Sequence, residues 1–234
     1  MNISELLPGI TQHNVKTPRL NMAYLETGTG NTPIVLVHGN CSSSLFFQDL
    51  MLALAATGRY KVYAPDMRGY GDSETLPVDA TRGVRDYSDD LAAFVQTLNL
   101  PPFHLLGWSL GGNIVMQYVM DHPGTLRSLT LEAPGSPFGF GGTKGVEGSF
   151  TWPDAAGSGG GTANAEFAQR MAQGDRGNEQ LSPRAVMNSF YFKPPFRAAP
   201  DREEIYLTGM LSTRVTPGNY PGDITPSNNW PNVA

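Results

Sequence analysis

The stretch Gly107-Trp108-Ser109-Leu110-Gly111-Gly112 carries the strongest signal in this sequence. An apolar run at residues 103–108 leads into it, and an amphipathic run at residues 110–121 follows it. Ser109 therefore stands between a predicted strand and a predicted helix, which is the context that makes a G-x-S-x-G match informative.

A serine between a strand and a helix requires a sharp turn, so the positions two residues before and after it must lack bulk. Gly107 and Gly111 meet this requirement. The turn would expose the Ser109 hydroxyl above the sheet, at the positive end of the helix dipole, with the N–H of Leu110 beside it. We interpret Ser109 as a nucleophile; the alternative is a tight turn that carries an incidental serine.

The surrounding sequence alternates short apolar runs with longer amphipathic stretches. Residues 33–37 form a continuous apolar run rich in β-branched residues, typical of a strand buried on both faces. Strands are predicted over residues 33–37, 60–64, 103–108 and 126–131, and helices over 43–57, 88–98 (capped by Ser88) and 110–121. The alternation predicts an α/β fold, a mostly parallel sheet with helices on both faces.

Glycine and proline divide the chain near residue 133. Residues 134–234 carry 15 Gly and 11 Pro, against 12 Gly and 8 Pro in residues 1–133. We therefore predict a regular N-terminal core over 1–133 and a loop-rich second unit over 134–234, with helices at 163–173 and 201–211.

The loop His38-Gly39-Asn40 directly follows the buried strand at residues 33–37. In a parallel sheet this loop lies beside the Ser109 turn, so the N–H of Asn40 is a candidate second donor to an oxyanion. His38 is interpreted as a structural histidine that holds the loop, in preference to a catalytic one. Cys41 is interpreted as a small buried residue rather than a nucleophile.

A glycine-punctuated loop, Asp66-Met67-Arg68-Gly69-Tyr70-Gly71-Asp72-Ser73, follows the strand at residues 60–64. We interpret Asp66 as a structural residue that accepts hydrogen bonds from loop amides; the alternative is an acid role in catalysis.

Together, His38-Gly39, the Asp-x-Arg-Gly-x-Gly-x-Ser loop at residues 66–73 and the Ser109 turn resemble the α/β-hydrolase superfamily, in its proline iminopeptidase, haloperoxidase-like and esterase branches. The resemblance covers residues 20–133. It implies an α/β-hydrolase fold and a serine hydrolase with Ser109 as nucleophile.

The same resemblance implies an oxyanion hole formed by the amides of Asn40 and Leu110, and a cap inserted after the strand that ends near Leu131. Residues 134–234 would be that cap. Eight of the aromatic residues there would form an apolar acyl or leaving-group site or the cap's own core: Phe138, Phe140, Phe150, Trp152, Phe190, Tyr191, Phe192 and Phe196. Trp108 is expected to pack under the turn, with a pocket-lining role as the alternative.

The sequence departs from the family order of serine, acid and histidine, because its histidines are His13, His38, His104 and His122. His122 lies about 20 Å along the predicted helix from Ser109, and His104 lies about 16 Å back along the strand. Neither distance permits proton transfer, so no general base is assigned.

Glu132 stands at the position that some branches use for the acid, and its alternative is a polar strand-end residue. Three explanations of the missing base remain open: C-terminal core strands that lie on a segment absent from this chain, a divergent binding module, or a base foreign to the family. The first is preferred, because a sheet that ends with the strand at residues 126–131 would expose an apolar edge.

The function predicted for the complete unit is serine hydrolysis of a small carbonyl substrate, an ester in preference to an amide or a carbon–carbon bond. The base would come from a C-terminal segment that completes the fold. The alternative is a catalytically incomplete ligand-binding or interaction protein on the same scaffold. Neither a cofactor nor a metal is expected.

Composition narrows the other possibilities. The net charge of −5 gives no electrostatic basis for binding nucleic acid or an anionic membrane. A single cysteine excludes an internal disulfide framework. Residues 1–20 show no signal pattern and no apolar run reaches about 18 residues, so a cytoplasmic protein is expected.

Overall fold

The computed structural model describes residues 5–79, 82–136, 143–154, 163–222, 226–229 and 232–233. Its main sheet has six strands in the order β1-β2-β4-β3-β5-β6. They are β1 (Thr11–Lys16), β2 (Asn21–Thr27), β3 (Thr32–Val37), β4 (Tyr60–Pro65), β5 (Phe103–Trp108) and β6 (Leu126–Glu132).

The sheet is mostly parallel, as the sequence predicts. β4, β3, β5 and β6 run parallel, whereas β1 pairs antiparallel with β2, and β2 pairs antiparallel with β4. The antiparallel strands were not predicted. β1 is exposed at every position except the half-buried Val15, so its sequence carries no apolar run.

Helices cover both faces of the sheet, which confirms the α/β prediction. They are α1 (Gln48–Ala55), α2 (Arg85–Thr97) and α3 (Leu110–Asp121). Val35 and Val37 of β3 pack into the apolar cluster that contains residues of α2 and α3. Ile34 and Leu36 face the opposite side, with residues of α1. The continuous apolar run of β3 therefore serves two cores.

The predicted cap of α2 is wrong. The helix begins at Arg85, and Ser88 lies one turn inside it. Asp86 accepts the backbone N–H of Asp79 at 2.8 Å and forms an ion pair with Arg82, so the first turn forms ahead of Ser88. The Ser88 hydroxyl is buried and finds no hydrogen-bond partner within the described segments.

After Glu132 the described elements are short. They are the pair β7 (Thr143–Lys144) and β8 (Ser149–Phe150), α4 (Ala165–Ala172), α5 (Pro183–Val186), a π-helical turn at Met187–Tyr191, α6 (Pro200–Leu211), and the pairs β9 (Val215–Thr216) with β10 (Tyr220–Pro221) and β11 (Pro226–Ser227) with β12 (Asn232–Val233). α4 and α6 correspond to predicted helices, whereas α5 and the π-helical turn were not predicted. The division into core and cap at residue 133 stays a prediction.

β6 forms one edge of the main sheet, because only β5 pairs with it in the described part of the chain. Leu129 and Leu131 on this strand are 36% and 40% exposed. This is the apolar edge that the sequence led us to expect. None of the described helices has the length and apolar character needed to span a membrane.

Candidate active site

Ser109 occupies a strained turn between β5 and α3, with φ 55° and ψ −120°. Its N–H donates to the carbonyl of Glu132 at 3.0 Å, and its own carbonyl accepts the N–H of Gly112 at 2.8 Å. A non-glycine residue in such a conformation costs on the order of 1–3 kcal/mol, so the surrounding contacts must hold it in place. Ser109 is only half-buried.

The glycines on both sides of Ser109 are required by close backbone packing. A Cβ at Gly107 would overlap the carbonyl oxygen of Gly111 and lie 2.5 Å from a methyl group of Val115. A Cβ at Gly111 would overlap the carbonyl oxygen of Val37 and lie 2.6 Å from that of His38. The end of β3 therefore packs directly against the start of α3.

The loop after β3 lies against the serine itself. A Cβ placed on Gly39 would be 2.9 Å from the Cβ of Ser109. Asn40 follows this glycine, and Leu110 is the first residue of α3, where backbone N–H groups lack helical acceptors. Across the described ranges, neither the Asn40 N–H nor the Leu110 N–H has a protein acceptor. The two predicted oxyanion donors thus come from segments that meet at Ser109.

The His38 ring holds two loops together. The ring is buried, its Nδ1 lies 2.8 Å from the carbonyl oxygen of Gly39, and its Nε2 accepts the N–H of Met67 at 3.0 Å. Since Nε2 accepts and Nδ1 faces an acceptor, the ring is the neutral Nδ1–H tautomer. Burial lowers the pKa of His38 to about 4. With both nitrogens engaged, this ring is unsuited to act as a base toward Ser109.

The Asp66 carboxyl is buried beneath the same loops. One of its oxygens accepts the N–H of Ser44 at 2.8 Å, and the other accepts the N–H of Asp72 at 3.1 Å. Burial raises the pKa of Asp66 to about 6, and the two backbone N–H groups act in the opposite direction. These contacts give Asp66 a place in loop structure, away from any histidine ring that could receive a proton from Ser109.

Asp66 should make stability depend on pH. Because its pKa in the folded protein lies above its ordinary value of 3.8, its favourable contribution is complete below about pH 4 and is lost as the pH rises through about 6. The free energy of unfolding of the wild type, relative to that of an Asp66→Asn variant, should therefore fall by about 3 kcal/mol as the pH rises from about 4 to neutral. Urea titrations of both proteins across this range measure it. His38 titrates in both proteins, so its opposite effect cancels; parallel curves would contradict the prediction.

The other three histidines are also engaged away from Ser109. His13 on β1 stacks on Tyr24, with ring centroids 5.3 Å apart. His104 lies 2.7 Å from the hydroxyl of Ser128. The His122 ring packs on Tyr118 at 4.9 Å. All four histidines of the sequence lie within the described residues, and none of them forms a hydrogen bond with Ser109.

Glu132 ends β6 directly opposite Trp108 of β5. Its backbone carbonyl accepts the N–H of Ser109, whereas its side chain is exposed. The residue therefore supports the serine turn through its main chain. A role as the acid of a triad stays a prediction, since none of the four histidines bonds to its carboxylate.

Some aromatic side chains of the second unit pack against aromatic residues of the first unit, and others are exposed. The Trp108 ring packs against Phe46 and Tyr191, each at 5.5 Å, and Tyr206 stacks on Phe46 at 5.0 Å. Phe150, Phe190 and Phe196 are more than half exposed. Phe138 and Phe140 lie outside the described residues.

Two other residues lie beside Asn40: Cys41, which sequence analysis interpreted as a buried residue, and Tyr70, which it left without a role. Cys41 is buried, and burial raises the pKa of its thiol to about 12, which agrees with an unreactive small side chain. Tyr70 was assigned no role from the sequence, and its hydroxyl donates to Oδ1 of Asn40 at 2.7 Å. Its place in the glycine-punctuated loop was the only available signal.

Comparison with known proteins identifies the fold. The family model described as the alpha/beta hydrolase fold matches residues 32–193. "Probable lysophospholipase BODYGUARD 1" of Arabidopsis thaliana is 32% identical over 120 residues, covering 50% of this chain and 25% of that protein. The pimeloyl-[acyl-carrier protein] methyl ester esterase of Neisseria meningitidis (strain FAM18) is 36% identical over 100 residues, covering 43% of this chain and 36% of that protein.

Among solved structures, an esterase from Exiguobacterium antarcticum has a TM-score of 0.62 at 18% identity, covering 88% of this chain and 69% of that one. At this identity the likeness shows the fold alone. The matched stretches span about a quarter to a third of the length of the two curated relatives.

Proposed function

The chain belongs to the alpha/beta hydrolase fold family, and from that premise we propose that it is a serine hydrolase acting on a small carbonyl substrate, with an ester as the preferred bond. The observation that carries the proposal is the Ser109 turn, where a half-buried serine at φ 55° is held against two amides without protein acceptors in the described residues. A tight connection between a strand and a helix does not by itself require a serine in a strained conformation, so the strain favours a functional role.

In the proposed reaction the Ser109 oxygen attacks the substrate carbonyl carbon, and its proton passes to a base. The carbonyl oxygen becomes an oxyanion that accepts hydrogen bonds from the N–H groups of Asn40 and Leu110. The base returns its proton to the leaving oxygen as the tetrahedral intermediate collapses, which expels the neutral alcohol and leaves an acyl group on Ser109. Water, deprotonated by the same base, then releases the acid and restores the serine.

We further propose that the base is a histidine on a segment outside these 234 residues, which adds to the exposed edge at β6. The reasons are the engagement of all four histidines elsewhere and the exposure of Leu129 and Leu131 on that strand. Such a segment would also supply the acid, unless Glu132 serves.

Added imidazole tests this assignment on the chain as it exists. A general base contributes about 10²–10⁴-fold to rate, so a fluorophosphonate probe should modify Ser109 slowly in plain buffer. Imidazole, acting as a diffusible base, should raise the rate of this modification about tenfold or more. The rate is followed by mass spectrometry of the peptide that contains Ser109. 2,6-Dimethylpyridine buffer of equal pH and ionic strength is the matched condition, because it is a base of similar strength whose nitrogen is hindered by two methyl groups.

The alternative, a binding or interaction protein on the same scaffold, is favoured by the absence of an available base among the described histidines. It predicts that Ser109 reacts no faster than an exposed serine, with or without imidazole. Rapid modification of Ser109 without any added base would instead contradict the proposal that the base lies on a segment outside these 234 residues.

A further inference from the structure

A tyrosine from the second unit contacts the backbone of the loop that carries Asn40. The hydroxyl of Tyr191 lies 3.1 Å from the carbonyl oxygen of Asn40 and 3.1 Å from that of Cys41. One O–H group therefore serves two successive carbonyls, across 150 residues of sequence. Over the described segments, no other group donates to either oxygen.

The rest of this loop is held from the core. The carbonyl of Gly39 accepts the Ser42 hydroxyl at 2.7 Å and faces the His38 ring. The Asn40 side chain accepts the Tyr70 hydroxyl. The core thus holds the peptide before Asn40, which carries the Asn40 N–H, and the N–H of Cys41 donates to Oδ1 of Asn40 at 3.0 Å. The carbonyls on the other side of Asn40, those of Asn40 and Cys41, accept from Tyr191.

The Tyr191 ring is itself fixed beside the serine turn. It meets Trp108, the residue before Ser109, edge-on at 5.5 Å, and it packs against Phe46 at 6.0 Å. Burial raises the pKa of Tyr191 well above its usual range, so the hydroxyl keeps its proton and remains a donor.

The segment that carries Tyr191 is anchored in the second unit. It is the π-helical turn Met187–Tyr191, whose first residue is fully buried in an apolar cluster with Phe167, Met171, Leu207 and Met210. The backbone carbonyl of Asn188 accepts a hydrogen bond from the Arg197 guanidinium, and the side-chain amide of Asn188 donates to Glu203 of α6 at 3.2 Å. Tyr191 is therefore presented by a structured element.

We propose that Tyr191 is a positioning residue, which holds the carbonyl side of Asn40 while the core holds its N–H side, so that the two together keep the Asn40 N–H available to the oxyanion. The oxyanion site would then be complete only while the π-helical turn is docked on the core. This inference rests on the proposed function, and it adds a requirement that the Ser109 turn alone does not impose.

The test is Tyr191→Phe, which removes the hydroxyl and keeps the ring contacts. The matched control is Tyr206→Phe, because Tyr206 stacks on the same Phe46 ring while its hydroxyl donates to Asp49 at 3.0 Å, away from the loop. Comparing thermal unfolding of the two variants separates a local effect from general destabilisation.

Two measurements are made on both variants. Amide hydrogen exchange over residues 39–42 should become about five- to tenfold faster in Tyr191→Phe, since one shared hydrogen bond is lost, and should stay unchanged in Tyr206→Phe. Imidazole-assisted modification of Ser109 at saturating probe should slow about tenfold in Tyr191→Phe, with the half-saturating probe concentration unchanged.

Exchange at the wild-type rate in Tyr191→Phe, or an equal rise in both variants, overturns the inference. Faster exchange with an unchanged modification rate overturns it as well, because the loop would then be held without consequence for chemistry. If wild-type Ser109 does not react at all, the proposed hydrolase function fails, and with it the chemical part of this inference; the exchange measurement then decides separately whether Tyr191 holds the loop.

Discussion

A Ser109→Ala variant is expected to lose at least 100-fold of the imidazole-assisted modification by a fluorophosphonate probe. The variant keeps the backbone contacts of Ser109 with Glu132 and Gly112, so its stability should stay close to that of the wild type. Only the nucleophilic oxygen is removed, and amides that stabilise an oxyanion give no covalent product without it.

The matched control is Ser149→Ala, since Ser149 is an exposed serine on β8, in the second unit. This variant should react as the wild type does. Residual modification of Ser109→Ala at the wild-type rate, located on another residue by mass spectrometry, would show that the chemistry belongs elsewhere. Intact-mass kinetics and a urea titration of each protein are sufficient to decide.

Gly111→Ala should be the most destabilising small substitution near the site. The added methyl group would overlap the carbonyl oxygen of Val37 and press on that of His38, and neither backbone atom can rotate away as a side chain can. Overpacking commonly costs 1–3 kcal/mol, and contact with fixed backbone should bring the loss of unfolding free energy to about 4 kcal/mol.

Gly218→Ala is the matched control for that substitution. The methyl group added there would find its nearest neighbour, Pro77, at an ordinary 3.5 Å, so a change within about 0.5 kcal/mol is expected. A Gly111→Ala protein with near wild-type stability would mean that β3 and α3 can move apart, and it would weaken the argument that the Ser109 turn is rigid.

Much of the fold was predictable from sequence because parallel strands that are buried on both faces consist of continuous apolar runs. The run in β3 is apolar at consecutive positions because Val35 and Ile34 face opposite cores. β1 escaped prediction for the converse reason: it lies at the other edge of the sheet and is exposed along nearly its whole length. The start of α2 was misplaced because contacts of Asp86 outweighed the local capping preference of Ser88. Asp86 binds the nearby Asp79 N–H and Arg82, and also the more distant Arg19 and Arg68.

The candidate site divides in the same way. Local pattern was sufficient for Ser109, Gly107 and Gly111, since the steric demand of a strand-to-helix turn acts within five residues. The tyrosine contacts to Asn40 were not predictable, because Tyr70 and Tyr191 reach it from 30 and 151 residues along the chain. No periodicity links such positions.

The sequence by itself determined the order of strands and helices in the parallel core and the place of a serine turn within it, because both follow from side-chain size and polarity at neighbouring positions. Only the tertiary structure decided that β1 and β2 join the sheet antiparallel, that the ring nitrogens of His38 are engaged by Gly39 and Met67, and that Tyr191 holds the backbone beside Asn40. Those features depend on distances between segments remote in the chain, which packing of the whole molecule sets.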